Sequence, residues 1–438
     1  MRSLFYSAAA VLALVLDHSF VQSGATHAEV PRDRLIQGAR PVLRSRDGSA
    51  NLEINIHKED SIDPSVGYNA YVSGYDPETH QYVLLRSAGE GYEYFKPEGA
   101  NGTIPMSIAE SIAIPLKDKI TKITLPGFIF SGRVWLAKGE LSFNVLLDGA
   151  SKVVVTEPDT NNPTDPAYNL SCGFIELTNV DKDGLTTNLS FVDWVGLLLG
   201  MSVTHQNGTT EDVPGLKPDS VNNICNSLKS QSEKDRRPWD KMCRQVDGKW
   251  LRAYSPNMYS QVNQDMMDYY DSYINEVWEH YSKTPLVIDS QDDNGLKVVS
   301  GQRITCSVMK DGQLACDSDA GVFPKPTTAD IWGCNSGTFE NVAGEGSHRK
   351  EVKARLCAAF HRSTLLLDGG GTQPSPNLTA PSYYAADPTN HYSRLVHENL
   401  RGGRGYAFPY DDVNPGAENA AGLIRSPKPQ SLDIHLIQ

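Results

Sequence analysis

The chain has 438 residues and a mass of 48.0 kDa, enough for two or three domains at roughly 100 to 200 residues each. With 39% hydrophobic and 21% charged residues it is a folded globular protein, neither a largely disordered polymer nor a small disulfide-stapled peptide. Its 40 Lys and Arg against 53 Asp and Glu leave a net charge of -13, which repels phosphate backbones and anionic bilayers, so neither nucleic acid nor membrane is expected as a partner while a neutral ligand is compatible.

Residues 1–28 carry Arg2, an apolar run from Leu4 to Leu16 and then small residues, the anatomy of a secretory signal with cleavage after Ala25 or Ala28. The run is shorter than the ~20 residues that span a bilayer, and no second one follows, so a secreted, extracellular protein is expected. Residues 29–48 are expected to be a flexible N-terminal segment. From 49 to 199 the texture is β: NLEINIH, AYVSGY, QYVLL, ITKITLP, RVWLA, LSFNVLL and SKVVVT are short runs punctuated by Gly, Pro, Asn and Asp, the pattern of a β-sandwich or barrel. Glu157 to Tyr168 is a loop by composition. Residues 200–365 change to mixed α/β. Val262, Met266, Tyr270, Tyr273, Val277, Trp278 and Tyr281 predict one helix over Met258–Tyr281, and Val352, Leu356, Ala359 and Phe360 predict another. Residues 366–438 return to short strands, aromatics, Pro and Asp, as suits a chain that re-enters the first domain.

An oxidising compartment also suits the seven cysteines and five Asn-x-Ser/Thr sequons. Neighbours are expected to pair, Cys225 with Cys243, Cys306 with Cys316 and Cys334 with Cys357, leaving Cys172 free and buried. No C-x-x-C spacing suggests zinc. Asn101, Asn169, Asn188, Asn207 and Asn377 are candidate glycan sites.

The chemistry concentrates in Cys172–Gly196, two strands joined by a polar turn, with two carboxylates set in apolar sequence. Alternation puts Ile175 and Leu177 on one face and Glu176 with Thr178 on the other. On the second strand it groups Asp193 with Leu189 and Phe191, so Asp193 reaches the Glu176 side only from a strand end or a bulge. Glycoside hydrolysis needs such a pair, one carboxyl protonated and one ionised. Burial among Phe174, Ile175, Phe191 and Trp194, with mutual repulsion, would push their pKa values apart. On pattern alone a hairpin carrying two satisfied or exposed acids is the better reading. Asn179 to Gly184 copies the first half of a calcium loop, but position twelve is Ser190 where a bidentate Glu is expected, so an Asx-stabilised turn is the better expectation. The glycine-rich stretches Asp368–Thr372 and Arg401–Gly405 lack the strand and helix of a phosphate loop. No G-x-S-x-G or H-E-x-x-H occurs. His361, His391 and His397 are expected to be structural. Tyr384, Tyr392, Tyr406, Phe408 and Tyr410 form an aromatic group suited to sugar stacking or to core packing.

Glu176-Leu-Thr178 followed by Val192-Asp193-Trp-Val-Gly196 resembles the core of glycoside hydrolase family 64, endo-β-1,3-glucanases with a thaumatin-like β domain. The resemblance extends through Arg133-Val-Trp135, Ala359-Phe360-His-Arg362-Ser-Thr364, Tyr392-Ser-Arg394-Leu-Val-His397-Glu398 and Gly405 to Val413, and suggests a fungal-type secreted member. It implies a thaumatin-like β-sandwich or barrel beside a mixed α/β domain, with a wide groove between them. It further implies Glu176 as general acid and Asp193 as general base in an inverting cleavage of β-1,3-glucan by a monomer that needs no metal or organic cofactor. Thr178, Ser190, Trp194, Tyr406, Phe408 and Tyr410 are the expected sugar-binding residues. The alternative is a thaumatin-like protein that binds β-glucan without cutting it.

Overall fold

The computed structural model describes residues 51–437, except 60–61, 63–64, 98–101, 103–104, 109–111, 150–152, 294–297, 300 and 417. The expected signal, the N-terminal segment and the sequon at Asn101 lie outside the described residues. The architecture is mainly β, with several sheets and few helices.

Two sheets enclose the β core. A five-stranded sheet runs in the order Thr210–Val213, Leu198–His205, Pro429–Ile437, Glu53–Lys58 and Ile120–Thr124. Its Glu53–Lys58 and Pro429–Ile437 pair is parallel, Ile54 opposite Leu432 and Ile56 opposite Ile434. This sheet continues to Val213, past the boundary expected at residue 200. An eight-stranded sheet places Ile424–Ser426, Gly184–Leu189, Cys172–Val180, Ile129–Lys138, Tyr68–Tyr75, Tyr82–Ala88 and Gly91–Phe95 side by side, with Ile114–Pro115 paired to the Tyr68–Tyr75 strand. Period-two alternation builds the core between the sheets: Val72, Val134, Leu136, Ile175 and Leu177 from one meet Ile54, Ile56, Met201, Leu432 and Ile434 from the other. The opposite face of the larger sheet packs Tyr71, Trp135 and Phe174, adjacent in register, into a second cluster with Trp194 and Tyr254.

Most of the remaining helices and small sheets share the first core, while the sheet of Met106–Ser107, Asn144–Leu147 and Val153–Thr156 packs into the second. Three disulfides, Cys225–Cys243, Cys306–Cys316 and Cys334–Cys357, all lie at the first core, and Cys172 is a buried free thiol. The helix predicted over Met258–Tyr281 is two helices, Pro256–Ser260 and Asp271–Tyr281. Local polar groups compete with the helical ladder between them. Asn263 Nδ2 donates to the Tyr259 carbonyl (3.0 Å), Asp265 accepts from the Tyr259 hydroxyl (2.8 Å), and the Tyr270 N–H donates to Thr328 Oγ1 (3.0 Å). Val262, expected on the apolar face, is 65% exposed.

Besides the Pro429–Ile437 strand, two features hold the C-terminal segment against earlier parts of the chain. Ser190 bridges Tyr406 in parallel, with Phe191 N–H to the Tyr406 carbonyl at 2.7 Å, and Ile424–Ser426 pairs with Gly184–Leu189.

Candidate active site

Strand register alone lines up four polar side chains. Asn188, Glu176, Arg133 and Ser73 are directly opposed across four adjacent strands of the eight-stranded sheet, one row beyond Phe174, Trp135 and Tyr71 on the same face. Arg133 Nη2 reaches Glu176 Oε1 at 3.5 Å, and its Nη1 makes a shorter bond of 2.7 Å to Oε2 of Glu157, at the head of the Pro-rich loop. Glu157 Oε1 accepts from Ser73 Oγ (2.8 Å) and the Tyr82 hydroxyl (2.7 Å). The guanidinium lies 4.5 Å from the Phe174 ring centroid, so the cation is backed by the aromatic row.

Asp193 arrives by a different route. The second strand of the hairpin ends at Leu189, and the chain then leaves the sheet, so alternation no longer dictates where Asp193 points. Trp194 and Val195 pair instead with Tyr254 and Ala253 of the Lys249–Tyr254 strand, while the Asp193 carbonyl accepts from Ser255 N–H (2.9 Å). The Tyr392 hydroxyl donates to the Phe191 carbonyl at 2.6 Å. The strand end required for Asp193 to share the Glu176 side is therefore present.

Burial raises the Glu176 pKa, Arg133 opposes it and the Asp193 charge adds to it. Asp193 is raised by burial too, again opposed by Arg133, with Glu157 as the like charge. Both carboxyls thus shift in the same direction, rather than being driven apart. Arg133 itself is held protonated: burial works against its charge, but Glu157, Glu176 and Asp193 together raise its pKa.

The expected sugar-binding residues divide. Thr178 accepts from Ser131 N–H (3.1 Å), bracing the register shift where Ser131 takes a φ of +48°. Ser190 is buried, and among the described residues its Oγ has no hydrogen-bond partner. Tyr406 donates to Asp412 Oδ1 (2.7 Å) and feels the Glu176 charge, and Tyr410 lies close to Asp412 in the same segment. Two more are engaged in packing. Trp194 is 6% exposed, with its indole N–H spent on the Cys172 carbonyl (3.1 Å), and Phe408 is 1% exposed and stacked on His361 at 4.5 Å. Both rings pack in the core, as do those of Tyr406 at 6% and Tyr410 at 9% exposure. Of the candidate glycan sites, Asn188 is 0% exposed in the row beside Glu176, which does not suit a glycan, whereas Asn169, Asn207 and Asn377 are exposed.

The histidines are tied into the framework. His361 Nε2 donates to the Ile331 carbonyl (2.8 Å) and its Nδ1 accepts from Asn390, while burial lowers its pKa to about 3. It lies near Cys334 and Cys357, but those sulfurs form a disulfide and are not free to hold a metal. His397 pairs with buried Asp411, which also accepts from Arg362. The residues that sequence reasoning missed are Glu157, Tyr82 and Ser73. Arg133 stood in a matching motif without a role, and Glu157 was one acid in a loop; register brings Arg133 to Glu176, and hydrogen bonds from Ser73, Tyr82 and Arg133 draw in Glu157.

The family model for β-1,3-glucanases, glycoside hydrolase family 64, matches residues 51–436. Glucan endo-1,3-β-glucosidases of Cellulosimicrobium cellulans and of Arthrobacter sp. strain YCWD3 are each 27% identical to the chain, over 313 and 311 residues. Each match covers 70% of this chain and 52% of the relative, so the chain spans about half the length of the curated relatives it matches. A laminaripentaose-producing β-1,3-glucanase solved with laminaritetraose superposes with a TM-score of 0.72 at 26% identity, covering 88% of this chain and 98% of that one. A β-1,3-glucanase domain from Clostridium beijerinckii gives a TM-score of 0.67 over 89% of this chain and 98% of that one; at 17% identity this is a likeness of fold alone.

Proposed function

The chain belongs to the family 64 β-1,3-glucanases, and from that premise we propose that it is a secreted endo-β-1,3-glucanase that hydrolyses laminarin-like cell-wall glucan. Glu176 donates the proton to the leaving oxygen and Asp193 activates water on the opposite face, with inversion. The observation that supports this is that both carboxyls lie in the field of one half-buried cation, Arg133, which reaches Glu176 at 3.5 Å. In this reading Glu176 is the carboxyl that carries the proton, its pKa raised by burial and by the Asp193 charge, and Asp193 is the base, raised by burial and by Glu157 and opposed by Arg133. Inversion calls for carboxyls about 6.5 to 9.5 Å apart, with room for the water.

Supporting residues are Thr178, Ser190, Tyr406 and Tyr410, in a groove between a thaumatin-like β unit and the α/β unit. Exposed Asn169, Asn207 and Asn377 suit a glycosylated, fungal-type secreted monomer acting without cofactor; intact mass and size-exclusion light scattering of the secreted protein check both points. Reducing ends released from laminarin by wild type but not by Glu176→Gln, with the α-anomer first in proton NMR, are the expected results. Binding without release by wild type would favour the glucan-binding alternative, and the β-anomer first would remove Asp193 from the base role.

A further inference from the structure

Glu157 belongs to no strand, yet it is among the most firmly held side chains near the carboxyl pair. One oxygen is filled by Ser73 and Tyr82 and the other by Arg133, and Ser73 Oγ also accepts from the indole of Trp135 (3.2 Å). The loop that follows is anchored from beneath. Buried Arg252 donates to the carbonyls of Thr160, Ala167 and Leu170, and the Tyr254 hydroxyl donates to Thr160. Such a brace would be ordinary if it held a surface cation. Here it holds the one that also reaches Glu176, and it takes the shorter contact, 2.7 Å against 3.5 Å.

We infer that Glu157 is a positioning residue that sets the pH range of catalysis by drawing the Arg133 guanidinium away from Glu176 and adding its own negative charge to the site. This rests on Glu176 and Asp193 being the acid and base. Glu176 faces Arg133 from the Ile129–Lys138 strand, Asp193 from the stretch between the Gly184–Leu189 and Trp194–Val195 strands and Tyr406 from the C-terminal segment. Asp193 faces Arg133, Glu157 and Tyr392, and Tyr75 and Tyr82 border Glu157. Burial raises all four tyrosines, so they stay neutral and the balance lies among three carboxylates and one cation.

The test is the pH dependence of kcat/KM on laminarin for wild type, Glu157→Gln, Arg133→Gln and Glu176→Gln. Without the Glu157 charge, Arg133 acts on Glu176 and Asp193 alone, and both limbs of the profile should move down by about one pH unit, the low end of what an opposite charge within ~4–6 Å does. Without the Arg133 cation both limbs should move up. A Glu157→Gln enzyme that is slower at every pH with both limbs unmoved would overturn the inference, because a mere brace behaves that way. Should near-UV circular dichroism show Glu157→Gln unfolded, the Arg133→Gln limbs decide, and their failure to rise overturns it. Full activity of Glu176→Gln would sink the acid assignment and this inference together. An inactive Glu176→Gln beside unmoved Glu157→Gln limbs sinks this inference alone.

Discussion

Glu176 and Asp193 show how far single residues can be read from sequence. Alternation with Ile175 and Leu177 turns Glu176 out of the core, and the structure keeps it there. Asp193 resists the same logic because its strand stops at Leu189, and a stop is set by pairing with the Lys249–Tyr254 strand rather than by local pattern. The burial of Trp194 and Phe408 was illegible for another reason: an aromatic side chain looks the same in sequence whether its ring faces a groove or a core. Asp193→Asn should lower kcat by a factor of about 100 to 10,000 with little change in KM, since the amide keeps the shape but cannot take a proton; initial rates on laminarin check it. The His397–Asp411 pair makes a prediction about stability. Burial alone would raise Asp411, but His397, Arg362 and the Ala407 N–H outweigh it and hold its pKa low. Burial alone would lower His397, but Asp411 outweighs it and raises its pKa. The Asp411 contribution is present above about pH 4 and lost as pH falls through its depressed value, while that of His397 is full below about pH 6.5 and lost as pH rises through its raised value. His397→Gln should therefore trail wild type most in urea melts near pH 5 to 6, and the gap should shrink by pH 9.

At the scale of elements, the hairpin that carries Glu176 depends on its turn. Gly184 closes it with a φ of +70°, and a Cβ there would stand 2.3 Å from the Ser426 carbonyl oxygen. Gly184→Ala therefore meets both an unfavourable backbone region, worth roughly 1–2 kcal/mol, and backbone that cannot step aside without unpairing Ile424–Ser426. A lower urea midpoint with an unchanged m-value is expected. The Met258–Tyr281 run shows the limit of periodicity. Its apolar spacing is helical throughout, but Asn263 and Asp265 offer the backbone and Tyr259 better partners, and Thr328 claims the Tyr270 N–H from outside. The last of these is invisible without tertiary structure. Cysteines were easier, because the neighbours in sequence, Cys225 with Cys243 and the two pairs that follow, are also neighbours in space.

For the whole molecule, the Pro429–Ile437 strand is decisive. It lies in the middle of the five-stranded sheet, with Leu432, Ile434 and Leu436 each fully buried. At about 1.5–3 kcal/mol for each such side chain, losing three removes an amount comparable with the whole net stability of ~5–15 kcal/mol. Deleting residues 429–437 should abolish cooperative unfolding, as near-UV circular dichroism during a melt would show. Aromatics and short strands after residue 406 hinted at such a return, but the parallel pairing with Glu53–Lys58 was not legible, since register between segments so far apart leaves no trace in either one. The linker from Ser190 to Val195 is the last point. Glu176 is fixed within one sheet, whereas the backbone around Asp193 is moored to Ser255, Tyr392 and Tyr406, groups from the other unit and from the returning chain. The gap between the carboxyls is thus a caliper reading of how well separate parts of the molecule fit. Mild denaturant that loosens that fit should silence the enzyme at concentrations where its sheets are still intact.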